Sequence, residues 1–96
     1  MNSVYFILRN QHFSIPANKD IFMKMSVPVF SSLFNNKNYL VQSDVRDDIF
    51  QSFIDYLRDD KIPDIQIENF YEYYLLSQEF GVFNDLIEQK RKLYGD

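Results

Sequence analysis

Few side chains in this sequence could act as metal ligands or as nucleophiles. The chain has one histidine, His12, and no cysteine. Zinc sites need three or four converging ligands, and no HxxH or HxxE spacing accompanies His12. We therefore expect His12 to be an ordinary exposed or half-buried residue, and we expect no metal or cofactor site in the chain.

Paired carboxylates are the other groups that could do chemistry. They occur at Asp47-Asp48 and at Asp59-Asp60. Neighbouring residues on a helix point about 100° apart, so neither pair converges on one atom. The chain also lacks a nucleophile elbow, and two glycines offer little for a phosphate-binding loop. The sequence therefore predicts no catalytic residues, and a small ligand-binding or enzymatic domain would require a deep pocket of convergent polar groups.

The charge balance argues against nucleic acid as a partner. The net charge is −4, and the one basic run, Lys90 to Lys92, falls near the end of a predicted helix, where cations complement the helix dipole. The apolar run at 4–8 is too short for a signal peptide or a membrane span. The absence of cysteine fits a reducing compartment. We expect an intracellular protein, cytoplasmic or nuclear, without membrane, nucleic-acid or small-molecule partners.

The hydrophobic pattern predicts one α+β domain over residues 1–96, which could also be the N-terminal part of a longer protein. Polar residues at 9–11 separate two apolar segments of strand-like composition, so we expect a β-hairpin. A further strand and five helices complete the order β-β-α-α-β-α-α-α. The predicted strands are 4–8, 12–15 and 39–41, the predicted helices are 18–25, 26–34, 46–59, 68–80 and 82–94, and a brief extended piece is expected at 65–67.

Four helices carry apolar residues at helical spacing, which predicts the face that each one buries. In the segment SVPVFSSLF, we expect Phe30, Leu33 and Phe34 to press the helix onto the sheet and onto the 46–59 helix. The stripe of the 46–59 helix is Ile49, Phe50, Phe53, Ile54 and Leu57. The stripe of the 68–80 helix is Phe70, Tyr73, Tyr74, Ser77 and Phe80. In the last helix the predicted face is Leu86, Ile87, Lys90, Leu93 and Tyr94.

Four segments, in this order, resemble the BTB/POZ fold, which is shared with elongin C-like and potassium-channel tetramerisation domains. They are IPANKDIFMKMS at 15–26, SVPVFSSLF at 26–34, DVRDDIFQSFIDYL at 44–57 and ENFYEYYLLSQEFGVFNDL at 68–86. The likeness runs from about Val4 to Tyr94. Three positions depart from the family pattern: Arg46 replaces a capping Ser or Thr, Asp60 replaces a glycine, and Lys90 replaces a small residue.

The resemblance implies a small three-stranded sheet flanked by about five helices and a non-catalytic function in protein–protein interaction. Family members act as adaptors or scaffolds, often linking a partner to a cullin-based ubiquitin ligase. The alternative is a structural self-association module of the channel-tetramerisation type. Self-association in the family commonly uses an extra helix and strand before the first core strand. Here Val4 begins that strand almost at once, so we expect no swapped dimer of that type, and instead a monomer or a weaker oligomer through another face.

Two sets of residues are candidates for partner binding. Tyr71 and Leu75 form an i, i+4 pair outside the predicted stripe of their helix, so they could form an exposed patch, or they could pack under the last helix or the 62–67 segment. On the 46–59 helix, the resemblance implies rim contacts to a cullin from the outward-facing residues Asp48, Gln51, Asp55 and Arg58.

Overall fold

The structure is a computed structural model that describes residues 2 to 95, and it shows an α+β fold with a three-stranded mixed sheet and five helices. The order of the elements is the predicted one. The strands are β1 (Ser3–Leu8), β2 (Gln11–Pro16) and β3 (Asn38–Leu40), and the helices are α1 (Lys19–Phe22), α2 (Val27–Asn36), α3 (Asp47–Asp59), α4 (Phe70–Phe80) and α5 (Asn84–Tyr94). Within residues 2 to 95 no helix is long and apolar enough to cross a membrane.

The first strand lies at the centre of the sheet, in the order β2-β1-β3. Strand β2 pairs with it in antiparallel and β3 in parallel orientation. The predicted hairpin is confirmed, and its turn is Arg9 and Asn10, with φ values of 47° and 71°. Two-residue hairpin turns favour positive φ at both positions, and asparagine tolerates it well. Val4, Phe6 and Leu8 point to the buried face of the sheet.

The core centres on phenylalanine rings from the sheet, α3 and α4. The ring centroid of Phe6 lies 5.6 Å from those of Phe50 and Phe80 and 5.7 Å from that of Phe53. All five residues of the predicted α3 stripe are buried. Large rings in edge-to-face contact combine apolar burial with favourable quadrupole geometry, so this cluster holds the sheet against α3 and α4.

The predicted core face of α2 is wrong in part. Leu33 is fully buried, but Phe34 is 60% exposed and Phe30 is half-buried. The second core residue of α2 is Val29, four residues before Leu33. A helix presents i and i+4 on one face, and Phe34 lies about 100° further round. The helix is thus apolar on a wider arc than the core covers.

Several predicted boundaries also need correction. Helix α1 ends at Phe22, although Met25 beyond it is still buried. Residues 65–67 form no strand: Ile65 is buried in an irregular segment, and Ile67 is exposed. Irregular backbone can still bury one side chain when its neighbours stay in solvent, as here.

The predicted faces of the last two helices are partly wrong. In α4, Leu76 is fully buried while Tyr74 is 37% exposed. In α5, Leu93 is 71% exposed, whereas Ile87 is buried. Each helix contacts the core through a face narrower than its predicted apolar stripe. Tyr74 and Leu93, at the edges of these stripes, therefore remain in contact with solvent.

Candidate functional site

The four candidates on α3 form a solvent-facing row along the helix. Asp48, Gln51 and Arg58 are exposed, and Asp55 is half-buried. Gln51 Nε2 donates a hydrogen bond of 3.1 Å to Asp55 Oδ1. The row is therefore polar and accessible, and its role in binding a partner stays a prediction.

The structure separates the two candidates on α4. Tyr71 is 68% exposed, and its ring stacks on that of Tyr74, with centroids 6.4 Å apart. Leu75 is half-buried and packs against the core beside a shallow groove formed with Gln42 and Ser43. The exposed aromatic surface on α4 is thus Tyr71 with Tyr74, and Leu75 belongs to the edge of the core.

A carboxylate from α4 positions the start of α3. Glu72 Oε2 accepts a hydrogen bond of 2.7 Å from the backbone N–H of Arg46, and Glu72 Oε1 accepts one of 3.0 Å from Arg46 Nε. In a capping box this carboxylate comes from the third residue of the same helix, but that position in α3 is the buried Ile49. Contact with α4 therefore replaces the local cap that the Arg46 side chain cannot make.

A second carboxylate on α4 holds the segment that follows β3. Glu79 accepts hydrogen bonds from the Tyr39 hydroxyl at 2.7 Å, from the backbone N–H groups of Gln42 and Ser43, and from Ser43 Oγ at 2.6 Å. Burial raises the pKa of the Tyr39 hydroxyl, and its hydrogen bond to the Glu79 carboxylate raises that pKa further. Glu72 and Glu79 thus fix both ends of the loop beside the exposed tyrosines.

The hairpin turn is tied to the other side of α3. Arg9 Nη2 lies 2.6 Å from Asp47 Oδ1, and Gln11 Nε2 donates to Asp47 Oδ2 at 2.7 Å. The hydrogen bonds from Gln11 and Arg9 lower the pKa of Asp47. Asp47 therefore serves as a helix-end anion and as an anchor for the hairpin.

His12 is exposed on β2, with its ring 6.0 Å from that of Tyr5 in an edge-on arrangement. Within residues 2 to 95, no three His, Cys, Asp or Glu side chains lie close enough together to hold a metal ion. Contacts of His12 in this structure are those of a surface residue on an open sheet face.

An apolar surface on α2 and the segment before it was not predicted from the sequence. Met23, Val27 and Phe34 are each at least 60% exposed. Met23 and Val27 line a groove of about 440 Å³ together with Phe30, and Phe34 lies one helical turn beyond Phe30. Val27, Phe30 and Phe34 follow an i, i+3, i+7 rhythm, separate from the Val29 and Leu33 pair that faces the core. The signal was present in the sequence, because α2 carries more apolar residues than one buried stripe requires. We call this surface the α2 face.

No protein-family model matches the chain, and no curated protein matches it either. The likeness to BTB/POZ domains therefore depends on the four quoted segments and on the order of the elements.

Proposed function

We propose that this chain is a non-catalytic protein–protein interaction domain of the BTB/POZ type, acting as an adaptor or scaffold. The observation that carries the proposal is the α2 face, where Met23, Val27 and Phe34 stay in water. Burying one large apolar side chain contributes about 1.5–3 kcal/mol. Clusters of such side chains left exposed are typical of surfaces that a partner covers.

The BTB/POZ assignment is supported by the order β-β-α-α-β-α-α-α and by the four quoted segments. By that resemblance, a cullin scaffold would contact the polar row on α3. A second exposed surface, the rings of Tyr71 and Tyr74, lies on α4, whose Glu72 is bonded to Arg46 at the start of α3. An adaptor needs two separate surfaces, and the α2 face and the Tyr71 surface provide them.

Direct binding to purified cullin N-terminal domains tests the cullin role. We expect at least one of these domains to bind the chain in calorimetry, and we expect Tyr71→Ala to weaken binding by about tenfold or more, as aromatic residues at interfaces do. Leu93→Ala is the matched control, because Leu93 is equally exposed on α5. Failure of every cullin domain to bind, or equal losses in the two variants, would remove this role.

Self-association is the second candidate function, and the α2 face gives it a physical basis. Light scattering after size-exclusion chromatography measures the mass over a wide range of concentrations. We expect the monomer mass of 11.6 kDa throughout. A stable dimer or tetramer that Phe34→Ser dissociates would favour the self-association module over the adaptor.

A further inference from the structure

We infer that the α2 face binds an amphipathic helix of a partner protein, one that presents an apolar stripe followed by acidic residues. This inference rests on the proposed interaction function and specifies the partner's chemistry. It follows from three features of the α2 face: an uncharged groove, the length of the exposed stripe, and two lysines at one end.

The groove at one end of the α2 face accepts apolar side chains. Its lining consists of Met23, Met25, Val27, Phe30 and Ser31, none of them charged. A volume of about 440 Å³ is ample for one or two large side chains. Methionine is flexible and polarizable, so two methionines allow the groove to adapt to Leu, Ile or Phe.

The exposed stripe has the length of a short helix. From Val27 to Lys37 the rise along α2 is about 15 Å, which corresponds to roughly three turns of a partner helix. The rings of Phe30 and Phe34 stack with centroids 6.1 Å apart and fill the middle of the stripe. Apolar anchors at i, i+3 or i+4, and i+7 of a docked helix would contact such a stripe.

Positive charge marks the other end. Lys19 and Lys37 line a second cavity of about 220 Å³, which shares Phe34 with the stripe. Among the described residues neither lysine forms an ion pair. Lys37 Nζ donates to the carbonyl oxygen of Phe34 at 3.1 Å and lies 5.7 Å from the Phe34 ring centroid, so its ammonium group is held beside the stripe. In a chain of net charge −4, this local pair favours an acidic partner.

The same charges disfavour a second copy of the chain on this face. A two-fold symmetric contact places the same patch on both subunits. A parallel pairing of the α2 face with itself would place Lys19 and Lys37 of both subunits side by side, where like charges cost binding energy. An antiparallel pairing would set each lysine pair against the uncharged groove, where it gains no carboxylate. A partner with carboxylates at that end has no such cost.

A displayed library of random 16-residue peptides, selected on the full chain, tests the inference without presupposing a sequence. We expect the enriched peptides to combine helical apolar spacing with Asp or Glu at one end. Fluorescence anisotropy would then measure one enriched peptide against variants. We expect Phe34→Ser, and separately Lys19→Glu with Lys37→Glu, to weaken binding by about tenfold or more. Reversing the acidic residues of the peptide to Lys should recover binding to the double Glu variant.

Matched controls and contrary outcomes are available within the same chain. Ile67→Ser and the pair Lys90→Glu with Lys92→Glu alter residues before α4 and on α5, which do not line the groove of the α2 face, and should leave binding unchanged. The inference is wrong if no peptide is enriched, if enriched peptides lack acidic residues, or if the controls weaken binding as much. Cullin binding that still depends on Tyr71 would then leave the proposed function standing. A dimer dissociated by Phe34→Ser would show that a second copy occupies the face, and it would overturn the inference.

Discussion

Leu33 and Phe34 are neighbours in the sequence with opposite environments, since Leu33 is 0% exposed and Phe34 is 60% exposed. Replacing Leu33 by Ala removes buried methyl groups and leaves a cavity, so we expect the free energy of unfolding to fall by about 2–5 kcal/mol. Phe34→Ala should change it by no more than about 0.5 kcal/mol. Urea denaturation of both variants measures the difference, and similar losses would mean that Phe34 belongs to the core.

Tyr39 and Tyr73 couple stability to alkaline pH. Burial is the main cause that raises the pKa of each hydroxyl above the ordinary value of 10.0. Above pH 10 the unfolded state therefore releases protons that the native state retains. Stability present below pH 10 should be lost as the pH rises further. We expect this loss to be smaller in the double variant Tyr39→Phe with Tyr73→Phe, when urea midpoints are compared on both sides of pH 10.

Among the helices, α3 depends on α4 for its first turn. We expect Glu72→Ala to destabilise the protein by about 1–2 kcal/mol, because the Arg46 N–H loses its acceptor and no local side chain caps the helix. Adding Arg46→Ser should recover about 1 kcal/mol, since a serine hydroxyl can cap from that position. Thermal unfolding of the single and double variants gives both values. No recovery would indicate that Glu72 acts through packing rather than through the helix end.

The C-terminal end of α3 is also stabilised by a residue from another part of the chain, as its first turn is. Asp60 adopts a φ of 58°, in the left-handed region that favours glycine, and aspartate is one of the residues that tolerate it. Lys24 Nζ donates to the carbonyl oxygens of Tyr56 and Leu57 at 3.2 and 3.0 Å and to Asp60 Oδ1 at 2.5 Å. Two of the three departures from the BTB/POZ pattern, Arg46 and Asp60, thus have a physical compensation from another element.

Elements in which apolar residues repeat at a regular spacing were predictable from the sequence. Features that depend on tertiary contacts were not. The hairpin follows from its alternating residues and its polar turn, and α3 follows from five apolar residues on one stripe. The early end of α1 was not predictable, because Met25 is buried by its neighbours rather than by helical periodicity. Exposure of Phe34 was missed for a related reason, since a sequence does not tell which of two apolar arcs the core covers.

At the scale of the whole molecule, charge and exposed apolar area together control solubility. The net charge of −4 vanishes near the sequence pI of about 4.8, and self-repulsion then no longer opposes contact between apolar surfaces. We expect the solubility of the protein to be lowest near that pH. We expect Phe34→Ser to increase the solubility at this minimum. Turbidity against pH measures both, with Leu33 intact in each sample. An equal minimum in the two proteins would show that the α2 face does not drive association.

The candidate interaction residues were predictable only as exposed positions. Spacing placed Tyr71 outside the core stripe of α4, and the structure agrees. Spacing could not show that Leu75 lines a groove with Gln42 and Ser43. Nor could it show that Lys19 and Lys37 line a cavity beside Phe34, because the residues of each group are distant in sequence. Convergence of remote residues is a property of the tertiary structure.

The central position of β1 affects the order in which the protein can fold during synthesis. Strand β1 is synthesised before the other described elements and can form its hairpin with β2 within microseconds. Its Phe6 ring, however, is enclosed by Phe50, Phe53 and Phe80, which are translated much later. The apolar face of the nascent hairpin therefore remains exposed to solvent until α3 and α4 have been synthesised. We expect chaperone binding to this part of the chain to be strongest in that interval.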